Sequence, residues 1–310
     1  MVIISPFIRS CVLCCTFLIL GQQLVLGQTL ELIVLGTSQD AGTPQIACDR
    51  PCCSERWKSK ETHSVASLGF SDGERFYMID ATPDFPVQFM EAQSHFVGQS
   101  FGGIFLTHAH IGHYTGLMYL GREAMGASNT PVYCMPRMKA FLEANGPWSQ
   151  LVTLGNIKLV ELSSNQAVQL SSELQMIAVP VPHRDEFSET VGYEVVAQQS
   201  LFYVPDIDKW KIWEQPIEAV IAAVDYALLD GTFFSGDELP GRDLSTIPHP
   251  FVEESLKRFE ALSSEERNKI HFIHLNHSNP LHDPNSSASK VVAGFGAYVA
   301  KKNMVFDLGK

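Results

Sequence analysis

The stretch Phe105-Leu106-Thr107-His108-Ala109-His110-Ile111-Gly112-His113-Tyr114-Thr115-Gly116 decides how this chain folds and what it can hold. The apolar run Gly103 to Leu106 reads as a buried strand, and it delivers His108, His110 and His113 just past its end. In extended backbone the side chains at i and i+2 share a face, so His108 and His110 aim at one point. His113 joins them if the chain turns into a helix at once. The spacing of Leu117, Leu120 and the Ala124–Met125 step predicts such a helix over Tyr114 to Met125. Neutral imidazole is the commonest metal ligand, and zinc takes it at about 2.0–2.1 Å. One or two histidines beside a turn are ordinary surface chemistry. Three at this spacing, directly after a buried strand, point to a metal site.

Candidate ligands recur at later strand ends. His183 follows Ile177-Ala178-Val179-Pro180-Val181-Pro182, whose prolines suit an edge or a strand terminus. Thr190 to Val196 and Ser200 to Val204 read as a hairpin that runs into Pro205-Asp206. Asp208 is the better-placed cap for a helix predicted over Lys209 to Glu214, which leaves Asp206 for metal. Tyr226 to Asp230 is an apolar strand running into Gly231-Thr232, and Ile270 to Ile273 is another, running into His274 and then His277. His277 lies within reach of the same pocket. His249, in Ile247-Pro248-His249-Pro250 ahead of a helix predicted over Phe251 to Leu262, is a candidate proton donor or substrate contact. His63, His271 and His282 read as surface histidines.

In the N-terminal part, a first strand over Leu30 to Leu35 and a loop to Gln45 precede Cys48-Asp49-Arg50-Pro51-Cys52-Cys53. These three thiols and a fourth ligand, His63 by proximity, would make a structural zinc site. A disulfide is the alternative in an oxidising compartment, and it would involve Cys48, because adjacent Cys52 and Cys53 would form a strained bridge. Asp72-Gly73 signals a tight turn, and the strand after it ends in Asp80 and Asp84. Asp80 reads as a carboxylate that orients a ligand histidine from behind, Asp84 as a residue of a helix's first turn.

Residues 1–27 read as a signal peptide: Arg9, a short apolar core from Cys11 to Leu20, then Val25-Leu26-Gly27. That core is shorter than the roughly 20 residues a membrane span needs, so an uncleaved anchor is the lesser alternative. The expectation is an exported protein, periplasmic or secreted, with no stable membrane anchor after cleavage. Residues 28–310 then form one domain, with 45% apolar residues and a mean hydropathy of +0.03 for the whole chain, enough for a well-filled core. The net charge of −12 becomes −13 without Arg9, as 34 acidic side chains then face 21 basic ones. Such a balance disfavours nucleic-acid partners and leaves small molecules, acidic ones included, because a bound metal can invert the local field. The oligomeric state is not legible.

The opening stretch resembles the His-x-His-x-Asp-His signature of the metallo-β-lactamase superfamily, with Gly112 where the superfamily has Asp. Leu35-Gly36-Thr37, Gly42-Thr43-Pro44-Gln45, the Cys cluster, Asp230-Gly231-Thr232 and the block from His274 to Pro280 resemble one branch, the pyrroloquinoline quinone biosynthesis protein B group. The resemblance implies an αββα sandwich, two mixed β-sheets face to face with helices outside. It implies His108, His110 and His183 on one divalent ion, zinc first and iron as the alternative, and His113, Asp206 and His274 at a second, weaker position. Gly112 puts occupancy of that second position in question, since the motif's Asp helps to hold it. The implied activity is hydrolysis by a metal-activated water of unknown substrate, with Asp206 orienting it; His249, or His277, to which no family role carries over, would protonate the leaving group. The branch would instead imply an iron-dependent oxygenase, and the missing Asp motivates a non-catalytic metal-binding module. Two further departures are the full set of histidines in the first motif, several of which the branch has lost, and the export signal. No Gly-x-Ser-x-Gly elbow is present, so a serine hydrolase is unsupported.

Overall fold

A computed structural model describes residues 30–310; the signal peptide read over residues 1–27 lies outside the described residues. The first half of the chain supplies β1 (Glu31–Gly36), β2 (Ser67–Ser71), β3 (Arg75–Ile79), β4 (Ser100–Phe105), β5 (Thr130–Cys134) and β6 (Ile157–Glu161). The second supplies β7 (Ala167–Gln169), β8 (Gln175–Pro180), β9 (Val191–Val196), β10 (Ser200–Val204), β11 (Tyr226–Asp230), β12 (Ile270–Ile273) and β13 (Tyr298–Val299), and β14 (Val305–Asp307) follows. They form two mixed sheets in the orders β14-β1-β2-β3-β4-β5-β6 and β13-β12-β11-β10-β9-β8-β7. Each half of the chain thus lays down one sheet in sequence order. β14 alone crosses back, pairing antiparallel to β1 with Phe306 opposite Leu32. From β3 to β6 and from β10 to β13 the neighbours run parallel, which requires long crossovers, and those crossovers carry the helices onto the outer faces.

The period-two alternation of the strands divides the apolar residues into three layers. Leu32 and Val34 of β1 point between the sheets, where they meet Tyr77, Phe105, Tyr203 and Leu228. Ile33 and Leu35 of the same strand point outward and pack with Phe85, Ala92 and Phe96, around the helix Phe85–His95. In β10, Leu201 and Tyr203 face inward, while Phe202 and Val204 pack against Ile217 and Ile221 of the helix Ile217–Ala223. Two sheets with an apolar layer between them and a helical layer on each side make the αββα sandwich.

Several predicted helices are shorter than their apolar spacing suggested. Over Tyr114 to Met125 the chain forms a single α-turn, Ile111–Tyr114, and a 3-10 helix, Thr115–Leu120, that ends at an extended Gly121. Tertiary contacts decide this. Ala81 N donates to His113 O (2.9 Å) and Gly116 N donates to Ala81 O (2.8 Å), so the corner is stitched to the chain beyond β3. The helix read over Lys209 to Glu214 is one 3-10 turn, Trp210–Ile212, with Trp210 and Trp213 both buried. The helix read over Phe251 to Leu262 stops at Arg258 and continues as a 3-10 turn. His271, expected at the surface, is buried: its ring stacks on Tyr298 and its Nδ1 donates to Lys269 O.

The last residues of β3, β4, β10, β11 and β12 point to one rim, and each leads directly into a chemically active side chain. Two of those, Asp80 (φ 68°) and His274 (φ 64°), hold left-handed backbone that non-glycine residues seldom adopt. Gly116 closes this rim so tightly that a Cβ there would stand 2.1 Å from Thr82 O and 2.6 Å from Phe85 Cβ. Gly116→Ala should therefore cost about 1–3 kcal/mol of stability, read as a lower urea midpoint. An unchanged midpoint would show that the corner yields.

Candidate metal centre

Four donor atoms, from His108, His110, His183 and Asp206, all lie within 4.8 Å of one another. His110 Nδ1 stands 2.9 Å from His108 Nε2 and 3.3 Å from His183 Nε2. Asp206 completes the ring, with Oδ2 3.4 Å from His108 Nε2 and Oδ1 3.2 Å from His183 Nε2. A ring nitrogen carries at most one proton, so His110 Nδ1 cannot satisfy both neighbours by hydrogen bonding. Ligands about 2.0–2.1 Å from a tetrahedral zinc stand about 3.3–3.4 Å apart, so a cation among these atoms fits the spacing. Beside this ring lie His113 and His274, with ring centroids 5.3 Å apart. The Nε2 of each is buried without a hydrogen-bond partner, and so is Asp206 Oδ1. An orphaned buried polar atom costs about 1–3 kcal/mol, and a divalent ion would relieve several at once.

Each ring is held from behind, which selects the nitrogen that faces inward. His113 Nδ1 donates to Asp80 Oδ2 (2.7 Å). The Thr107 hydroxyl donates to the same carboxylate, so its oxygen is free to accept from His108 Nδ1 (3.0 Å). His183 Nδ1 donates to Asp208 Oδ1 (3.0 Å), and His110 Nε2 to Glu186 Oε2 (3.0 Å). In the second sheet the Thr232 hydroxyl donates to Asp230 Oδ1 (2.7 Å) and accepts from His274 Nδ1 (3.0 Å). His249 Nδ1 donates to Asp230 Oδ2 (2.9 Å) and lies 3.2 Å from Asp206 Oδ1.

The electrostatics also suit a cation. Burial, with the charge of His113, holds His108 well below the usual imidazole value, and burial does the same to His274. Burial pulls His183 down too, but the Asp206 and Asp208 carboxylates against its two nitrogens lift it to about 10. Burial alone would raise Asp206; His183 and His249 instead hold its carboxyl well below the ordinary range. Neutral His108 and His274 and an ionised Asp206 are in the states a metal needs, and at His183 a bound ion would replace the proton that the two carboxylates otherwise hold there.

Of the residues singled out in the sequence, the fold gathers His108, His110, His113, His183, Asp206, His249 and His274 at this rim. His277 is elsewhere. It joins Cys48, Cys52 and Cys53 in a second cluster whose donor atoms also lie within 4.8 Å of one another, and its Nδ1 is buried without a partner. His277 therefore takes the fourth place expected of His63, whose Nε2 instead bonds Glu61. Cys48, Cys52, Cys53 and Cys134 are all free thiols, and no disulfide forms among the described residues. Burial pushes the Cys53 thiol up to about 12, with Gln45 N donating to its sulfur. Cys134, inside β5, is likewise pushed up to about 12 by burial and touches neither cluster. Asp208 orients His183 rather than capping the turn that follows it, and Asp84 accepts from Val65 N ahead of the helix Phe85–His95. Sequence reasoning gave no role to Asp230, Thr107, Thr232, Glu186 or Asp40. A separate cavity of about 550 Å³, lined by His63, His282, Val292 and Tyr298 among others, contains none of the rim ligands.

Over most of its length the chain is similar to proteins of known kind. The coenzyme PQQ synthesis protein B of Gluconobacter oxydans (strain 621H) is 25% identical over 317 residues, covering 90% of this chain and 99% of the relative. That of Klebsiella pneumoniae (strain 342) is 26% identical, covering 89% and 97%. Among solved structures, zinc-bound PqqB from Methylobacterium extorquens superposes with a TM-score of 0.75 at 22% identity, covering 90% of this chain and all of that one. A diphosphatase of the PhnP family superposes with a TM-score of 0.63 at 22% identity, covering 89% and 96%. Residues 75–274, from the start of β3 to the last of the converging histidines, match the family described as beta-lactamase superfamily domain, and the chain belongs to that superfamily.

Proposed function

We propose that this protein is a metal-dependent hydrolase of a small molecule. His108, His110, His183 and Asp206 would hold one divalent ion, and His113, Asp206 and His274 would offer a second position. The observation that carries this reading is the convergence of four donor atoms within 4.8 Å, each imidazole clamped from behind. Three imidazoles and a carboxylate suit zinc first and iron second. A divalent ion held there supplies a nucleophile at neutral pH and polarises an acyl or phosphoryl centre. The residues of the chain do the remaining work. Thr107, Glu186 and Asp208 keep three rings in one tautomer and one orientation. Asp206 lies between His183 and His249, where its carboxylate can orient an attacking water. His249 Nδ1 is committed to Asp230; burial lowers the ring, but the Asp230 and Asp206 carboxylates raise it overall, and in its protonated form the second proton, on Nε2, is the one it could pass to a leaving group.

The Cys48-Cys52-Cys53-His277 cluster supports a structural zinc, because three thiols and one imidazole are a closed zinc set with no place left for substrate. Export remains part of the reading: the chain recovered outside the cytoplasm should begin near Gln28. Among the described residues no helix is long and apolar enough to cross a membrane. A second reading rests on the full-length likeness to PQQ synthesis protein B: an iron-dependent oxygenase using the same rim, in or near quinone biosynthesis. Substrate-dependent oxygen uptake by anaerobically purified, iron-loaded protein would favour it over hydrolysis.

The mature protein should retain divalent metal by mass spectrometry and turn over at least one of a phosphodiester, a thioester, a lactone and a lactam. His110→Ala should lose rim metal and turnover together; a metal-loaded wild type inert on the whole panel would overturn the hydrolase reading. Asp208→Asn should weaken zinc binding at the rim by about 10–100-fold, measured by competition with a chromophoric chelator, with the circular dichroism spectrum unchanged. His277→Ala or Cys48→Ser should lose one zinc and lower the melting temperature while leaving kcat within about twofold of wild type, because that cluster does its work on the fold.

A further inference from the structure

Gly112 is the residue at which the rim lacks an acid, and the fold shows what fills the space. A Cβ built on Gly112 would stand 2.5 Å from Asp40 Cα and 2.5 Å from Asp40 Oδ1. The volume that a side chain at 112 would occupy is thus taken by Asp40 of another loop, the one that follows β1, by its backbone as well as its carboxylate. Asp40 Oδ1 is buried without a hydrogen-bond partner and stands 3.7 Å from His113 Nε2, too far for a hydrogen bond. His113 Nε2 and His274 Nε2 are also buried and unpartnered, on side chains that are fully enclosed. With His113 Nδ1 spent on Asp80 and His274 Nδ1 on Thr232, each ring turns its remaining nitrogen to the others. Three donor atoms, within 4.8 Å of one another, therefore meet without a hydrogen-bond partner for any of them.

The Asp40 loop is held in place. Gln39 N donates to Leu275 O (2.9 Å), and Asn276 Nδ2 donates to Gln39 Oε1 (2.6 Å). Leu275 and Asn276 directly follow His274, so one set of bonds positions both the carboxylate and the imidazole. Asp40 itself takes a positive φ of 22°, a turn conformation that directs its side chain into the rim.

We propose that Asp40 supplies the carboxylate for the second divalent-metal position in place of residue 112, and that Gly112 is the vacancy which lets it in. The ligand has moved from the helical corner after β4 to the loop after β1, and the rim holds two ions of the hard-to-borderline class, such as zinc or manganese. This rests on the reading of the rim as a metal centre.

The test uses the mature full-length chain and zinc or cobalt alone as probe. Binding is followed by metal mass spectrometry and by the cobalt absorption bands, with the thiolate-to-cobalt bands separating the cysteine cluster from the rim. Wild type should take two rim equivalents. Asp40→Asn, which keeps the shape and removes the charge, should weaken only the second by more than about 100-fold, beyond the range for losing an outer partner. Asp40→Glu, which keeps the charge, should retain the second equivalent better than Asp40→Asn, and that rescue would separate a ligand from a merely structural residue. Wild-type binding of two rim ions that Asp40→Asn leaves unchanged would overturn the proposal while the metal centre stands. No rim metal in wild type at all would overturn both.

Discussion

Two buried carboxylates, one in each sheet, set the positions of nearly everything at the rim. Asp80 follows β3 and accepts from Thr107 N, the Thr107 hydroxyl and His113 Nδ1. Asp230 ends β11 and accepts from Thr232 N, the Thr232 hydroxyl, Ile207 N and His249 Nδ1. A buried carboxylate is tolerable only when its lone pairs are filled, and here backbone amides, a threonine hydroxyl and the back of one histidine fill those of each. Each Asp also acts through a threonine whose oxygen accepts from a further imidazole, His108 in one sheet and His274 in the other. The device appears once per half of the chain, with different spacing: Thr107 comes from the next strand's end, Thr232 from two residues away.

The cysteine cluster belongs to the same construction. It joins the helix Pro51–Ser59 and the loop before it to His277, three residues past His274. The segment from Gly36 to Cys53 and the segment that follows His274 are bonded at Thr37 and Gln39, and a zinc in the cysteine cluster would tie them a second time. A zinc there would brace the Asp40 loop against the segment that follows His274. The rim can then be rigid where it binds and variable in the loops outside, such as Phe233 to Pro248, that would face a substrate.

Much of this was legible in the chain. Strand positions followed from apolar runs bounded by turn residues, and most observed strands begin or end within a residue or two of their expected ends, as at Ser200–Val204 and Tyr226–Asp230. The helices were less legible. Leu117, Leu120 and Met125 carry helical spacing, but the bonds between Ala81, His113 and Gly116 bend the corner into a 3-10 helix first. Long-range bonds leave no mark on local periodicity. The same limit explains His63, the expected fourth partner of the cysteines, and His277, expected at the rim: the loop after β12 delivers His277 to the cysteine cluster, and Glu61 engages His63. It explains Asp208 as well, which has the sequence of a cap and the contacts of a clamp.

What the amino-acid order determined by itself was the set of donors: histidines and aspartates placed where apolar strands stop, a position that needs only the two-residue period and a turn to be recognised. What only the tertiary structure decided was which donors share a point in space. His183 and Asp206 meet His108 because β8 and β10 of one sheet stop level with β4 of the other, and Asp40 enters the space beside His113 because Gly112 has no side chain to keep it out. Residue types and spacing are carried along the chain; the meeting of two sheets is set by how their apolar faces pack, which no short stretch of sequence contains.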